Sequence, residues 1–162
     1  MDDKTLLTAL QDAKLLTAAD AARVLKEAPL FKKSAEAFVY SQRFASEEDV
    51  AKVKSKVLKI PYKKIDPGTV TPELLKLIPG ETARAYQMIP LGREKTMLLF
   101  GMVHPDDQAA QEALRFLAKR EQVNMGVYLV TPSDVDAVLK RSSLFGDDID
   151  AALKSLNLNS GE

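Results

Sequence analysis

Apolar residues recur at helical spacing through the first part of the chain and later give way to alternation. After Thr17 they fall at Ala21, Val24 and Leu25, and after Ser46 at Val50, Val53 and Val57. Steps of three and four put such residues on one helix face, the face that seeks a core. Thr17 and Ser46 themselves are N-cap residues, each followed three positions later by an aspartate that favours the helix's positive end. A shorter helical piece precedes each cap, over 6–13 and 35–42. Each copy therefore reads helix, tight turn, helix, with Leu15-Leu16 and Phe44-Ala45 in the turns and pointing into the helix pair.

The two copies align with each other at an offset of 29 positions, Leu15 meeting Phe44. In that register Leu10 meets Val39, Lys14 meets Arg43, Asp20 meets Asp49, Ala22 meets Ala51 and Val24 meets Val53. Agreement in residue type at so many positions marks a helical unit repeated once.

Beyond a seam at Ile60-Pro61-Tyr62 through Pro67-Gly68, rich in breakers and charge, the period changes. Thr71-Pro72-Glu73 starts a short helix over 74–78 that Pro79-Gly80 should stop. Runs over 86–91 and 97–103 are β-rich, and the stretch over 92–95 predicts a hairpin between them. Residues 106–120 return to helical spacing, with Ala110, Ala113, Leu114 and Leu117 on one face; 123–130 reads as a third strand. Thr131-Pro132-Ser133-Asp134 opens a last helix through about Arg141. The expected fold class is α+β: an N-terminal helical subdomain of two helix-turn-helix-like copies, then a small three-stranded sheet packed with helices on one face. The boundaries read 1–62, 66–142 and a tail or linker over 143–162, where Phe145, Ile149, Leu153 and Leu156 fit one helix face.

Composition narrows the function classes. Twenty-three basic and 23 acidic side chains cancel, so no global field attracts nucleic acid or an anionic membrane. Without cysteine there is no disulfide and no thiolate chemistry, which suits a reducing cytosol. Acids stand at the N-terminus where a secretory signal would carry lysines, and no apolar run approaches the roughly 18 residues of a membrane span. A cytoplasmic location follows.

Candidate chemistry is sparse. His104 is the sole histidine; beside Asp106 and Asp107 it reads either as a base or metal ligand, or as a strand-end residue before a helix. The second reading is favoured because no other His or Cys completes a metal site. Gly92-Arg93-Glu94-Lys95-Thr96 resembles the end of a phosphate loop but has Glu94 where that loop needs glycine, between strands instead of strand and helix. The lysines at 52, 54, 56, 59, 63 and 64 follow Glu47-Glu48-Asp49, the charge bias of an ordinary helix, and no aromatics interleave to stack on bases. No catalytic residue, metal site or cofactor is expected.

Several segments in order resemble a known family. They are Ile60-Pro61-Tyr62, 72–79, 86–93, Pro105-Asp106, Leu114-Arg115-Phe116-Leu117 and 131–135. Together they are similar to the N-terminal region of type II secretion and type IV pilus assembly ATPases. The resemblance implies a non-catalytic docking or regulatory domain whose partners are secretion or pilus machinery proteins: an inner-membrane platform or a cytoplasmic adaptor. It also implies, as the alternative, a cyclic di-GMP sensor, since a subset of the family binds that ligand through two tandem helical motifs. The 29-residue offset is the spacing of such a pair. On that alternative the ligand-binding residues are Leu6, Leu10, Lys14, Leu15, Leu16, Leu25, Val39, Arg43 and Phe44. The motif's leading Arg is replaced by Thr5 and Ser34, and its closing Gln by Ala28 and Val57. Its glycine positions hold Leu7 and Lys14 in one copy and Glu36 and Arg43 in the other.

Overall fold

The computed structural model describes residues 1–141, so the tail over 143–162 and its apolar stripe lie outside the described residues. The chain divides into two compact units, Met1–Tyr62 and a second beginning at Lys63.

The first unit is helical: α1 (Asp3–Asp12), α2 (Ala18–Glu27), α3 (Ala35–Ser41) and α4 (Glu47–Leu58), with a 3-10 turn at Ala28–Phe31. Repetition extends to individual hydrogen bonds. The Leu15 N–H donates to the Leu10 carbonyl at 3.0 Å, and 29 residues on Phe44 donates to Val39 at 3.1 Å. Lys14 and Arg43 end α1 and α3 in the left-handed region, at φ 62° and 57°. This is the backbone of a helix C-terminus that reverses tightly and satisfies its last carbonyls. Thr17 and Ser46 then cap α2 and α4, their hydroxyls each accepting from an aspartate N–H at 3.1 Å. Asp20 closes the box by accepting back from the Thr17 N–H at 3.2 Å.

Leu6, Leu7, Leu10, Leu16, Ala21, Val24, Phe38, Val39 and Val50 form the helical core. Two positions depart from the sequence reading. Leu25 and Val57, expected on the inward faces, are both exposed. A period of 3.6 residues puts them at the margin of the stripe, where α2 and α4 have turned away from the core.

The second unit holds a three-stranded sheet in the order β1-β2-β3. β1 (Met88–Glu94) and β2 (Met97–Met102) are antiparallel around the two-residue turn Lys95-Thr96, with Glu94 paired to Met97. A bulge at Leu91 and the proline at Pro90 are tolerated because β1 is an edge strand. α7 (Gln108–Glu121) crosses from β2 to β3 (Asn124–Leu129), which runs parallel to β2. Leu98, Phe100 and Met102 point to a core shared with Ala110 and Leu117 of α7, and with Val135, Val138 and Leu139 of α8 (132–141). Thr131 caps α8, and Asp134 of its first turn accepts from the Ile65 N–H at 3.1 Å.

One helix was not legible. α5 is only Pro72–Leu75, and Pro79-Gly80, expected to end a helix, instead begins α6 (Gly80–Tyr86). Proline before a first turn has no N–H to waste, and the residues that follow, Glu81 to Tyr86, sustain a helix. Tyr86 therefore belongs to α6, and β1 starts later and runs through the segment expected to be turn.

Candidate functional site

The repeat brings its second turn beside its first. A depression of about 590 Å³ is lined by Leu15 of the first turn and by Tyr40, Arg43, Phe44, Ala45, Ser46, Glu47 and Asp49 of the second. Three of the nine residues singled out from the sequence, Leu15, Arg43 and Phe44, therefore share one wall. Leu6, Leu10, Leu16 and Val39 are sealed in the helical core, where they hold α1 to α4 together. Lys14 is exposed on the first turn, and Leu25 is exposed on α2.

The turns explain why glycine suits the motif positions now held by Lys14 and Arg43. A left-handed backbone crowds Cβ against the carbonyl oxygen, and glycine has no Cβ. The other two glycine positions have a different fate. Leu7 is core, and Glu36 is buried in an ion pair with Lys54 of α4 at 2.8 Å. Glu36 thus faces a lysine inside the unit and not a bound anion.

Two contributors were missed from the sequence. The Arg23 guanidinium lies over the Phe44 ring, 5.6 Å from its centroid, and also pairs with Glu27 at 2.9 Å. Tyr40 is half-buried, and burial followed by the Glu36 carboxylate pushes its phenol well above the usual tyrosine range. Arg23 had a signal, since it meets Lys52 in the repeat register. Tyr40 had none, because its environment depends on packing between helices.

The lining of the depression is unfavourable to an anion. Arg43 is its one cationic lining residue, Arg23 over Phe44 is paired with Glu27, and Glu47 and Asp49 in the first turn of α4 supply two carboxylates. Three lysines of the run are already engaged. Lys52 pairs with Glu48 at 3.2 Å, Lys54 is buried, and Lys63 sits over the Tyr128 ring at 5.3 Å.

Elsewhere, residues 92–96 form the end of β1 and the β1–β2 turn. The His104 carbonyl accepts from the Asp107 N–H at 3.1 Å in the turn before α7. Among the described residues no cluster of His, Cys, Asp or Glu could hold a metal ion. No described helix is long and apolar enough to cross a membrane.

The family profile described as the MshEN domain matches residues 58–155. The chain belongs to the MshEN domain family. That match lies on the sheet unit, and the fold likeness reaches further. The structure of MshE with cdg (cyclic di-GMP) superimposes with a TM-score of 0.68 at 21% identity, covering 85% of this chain and 97% of that one. The N-terminal domain of XpsE gives a TM-score of 0.65 at 18% identity, covering 87% and 96%. Comparison with curated protein sequences gives no significant match. The α+β fold and the resemblance to the N-terminal region of secretion and pilus assembly ATPases both stand on these matches.

Proposed function

We propose that this MshEN domain is a non-catalytic docking and regulatory module of a type II secretion or type IV pilus assembly ATPase. On this reading it seats on an inner-membrane platform protein or a cytoplasmic adaptor, and it works at the cytoplasmic face of the membrane. Boundaries at 1–62 and 66–142 would make the helical and sheet subdomains separate docking elements. The observation that carries the reading is the family match over residues 58–155. The proposal gives the domain no reaction of its own; residues 92–96, the nearest approach to a phosphate loop, turn between two strands. The test is affinity capture of the tagged chain against the cytoplasmic parts of platform and adaptor proteins. Retention of one of them is the expected result. Failure to retain any, under conditions where the full ATPase assembles, overturns the proposal.

A second reading, a cyclic di-GMP sensor, is favoured by the duplicated turns and by the likeness to MshE with cdg. It ranks below docking because the lining of the depression carries two carboxylates against the Arg43 guanidinium, and the nearby Arg23 is already paired with Glu27. Leu15, Arg43 and Phe44 would be its contact residues, with Lys14 and Leu25 at the exposed margin and Leu6, Leu10, Leu16 and Val39 supporting from the core. Calorimetry decides it: absence of heat at about tens of micromolar ligand removes the sensor reading.

A further inference from the structure

Large apolar side chains stand exposed at Leu25, Leu30, Phe31, Val57, Met97 and Phe116 among the described residues. Three of these six fall within residues 25–31, with exposures of 43% for Leu25, 74% for Leu30 and 61% for Phe31. Such clustering at one place differs from the scattered exposure any surface shows.

The segment is a closed, hydrogen-bonded turn. It is the 3-10 turn Ala28–Phe31, with Pro29 at its start and Lys32 in the left-handed region at φ 54°. The Lys32 N–H donates to the Pro29 carbonyl at 3.1 Å, and the Lys33 N–H to the Ala28 carbonyl at 3.0 Å. Ala28 is buried, and the Phe31 ring stacks on the core ring of Phe38 with centroids 5.9 Å apart. Leu30 and Phe31 are therefore exposed on a turn whose closing N–H groups, those of Lys32 and Lys33, are already satisfied. Entering an apolar layer would cost this turn little ordering and would strand neither of those N–H groups.

Charge identifies the layer. Lys26, Lys32 and Lys33 are all exposed around the turn. The one acid in the segment, Glu27, is engaged by Arg23. An apolar turn flanked along the chain by exposed lysines on flexible stems matches a bilayer interface, with acyl chains below and anionic headgroups beside them. We propose that residues 25–33 form a peripheral contact for an anionic phospholipid surface. Leu30 and Phe31 enter the headgroup boundary while the three lysines engage lipid phosphates. Contact of this size is weak and reversible, an addition to protein docking that does not depend on it.

Co-sedimentation of the full chain with vesicles tests the proposal. Neutral phosphatidylcholine vesicles should leave the protein in solution, and vesicles containing phosphatidylglycerol should carry it down, less so as salt rises. Lys32→Gln with Lys33→Gln should weaken this binding by about thirtyfold, following the attraction of about 1 kcal/mol expected per lysine near a charged leaflet. Leu30→Ser should weaken it as well, and so exposed a position should leave the helical circular dichroism unchanged. The chain has no tryptophan, so Leu30→Trp provides a single reporter whose emission should shift to the blue on anionic vesicles. Failure to sediment with anionic vesicles overturns the proposal, including the case in which the tip seats in a protein. Sedimentation that persists unchanged in the Leu30 and lysine variants also overturns it, because another surface is then responsible.

Discussion

Replacing Lys14 and Arg43 by glycine tests the account of the paired turns. Both residues end the first helix of their copy in the left-handed region, at φ 62° and 57°. A Cβ in that conformation costs about 1–2 kcal/mol. Glycine removes the clash but gives up roughly 0.5–1 kcal/mol through its greater freedom in the unfolded chain. The balance is a gain of about 0.5–1 kcal/mol per site. The capping hydrogen bonds stay within each turn, Lys14 to the Gln11 carbonyl and Arg43 to that of Tyr40. The two gains should therefore add to about 1–2 kcal/mol in the double variant. For a unit of this size each kcal/mol moves the melting temperature by about 4–8 °C. Thermal unfolding followed by the helical circular dichroism signal is the assay, with urea titration as a check. Lys14→Ala and Arg43→Ala keep the Cβ and should melt with the parent protein. Ala22→Gly, in the middle of α2, should lose about 1 kcal/mol, which guards against a general effect of glycine. Should the glycine variants melt no higher than their alanine counterparts, the backbone explanation of these positions is wrong.

Three further outcomes follow from packing and charge. A Cβ on Gly101 would lie 2.7 Å from Val130 Cγ1, a buried atom with little room, so Gly101→Ala should cost about 1–3 kcal/mol in urea unfolding. Gly126→Ala should cost less, because its 2.7 Å neighbour is the tip of the half-buried Leu99 side chain. Lys54→Met leaves the Glu36 carboxylate buried and should destabilise by about 3–5 kcal/mol, whereas Lys54→Met with Glu36→Leu should recover most of that loss. Tyr40, whose phenol is pushed above its usual value of 10.0, ionises more readily unfolded than folded. Stability should therefore be unaffected by this group below pH 10.0 and fall as the pH rises past it. In denaturant titrations over the alkaline range, the stability difference between the parent and Tyr40→Phe should stay constant below that pH and move against the parent above it.

The sequence alone determined whatever rests on neighbours along the chain. Thr17, Ser46, Thr71 and Thr131 are caps because a short hydroxyl reaches an N–H three residues on. Duplication was legible because 29 residues separate equivalent side chains whatever the helices do next. The three strands were visible from their residue types, and the crossing helix from its apolar period. Boundaries were weaker where local signals conflict, so Pro79-Gly80 read as a stop and proved to be the entry to α6.

Tertiary structure decided the rest. Only packing shows that β3 lies parallel beside β2, or that Leu25 and Val57 fall outside the core stripe. Glu36 and Lys54 stand on different helices, and nothing local requires them to meet inside the unit. The candidate site divides the same way. Its residues were found by their spacing, but spacing cannot say which way a side chain turns. Folding sends Leu6, Leu10, Leu16 and Val39 inward and leaves Arg43 and Phe44 facing the carboxylates of α4. A repeat fixes where equivalent residues sit along the helices; the charges around them depend on which helices come together.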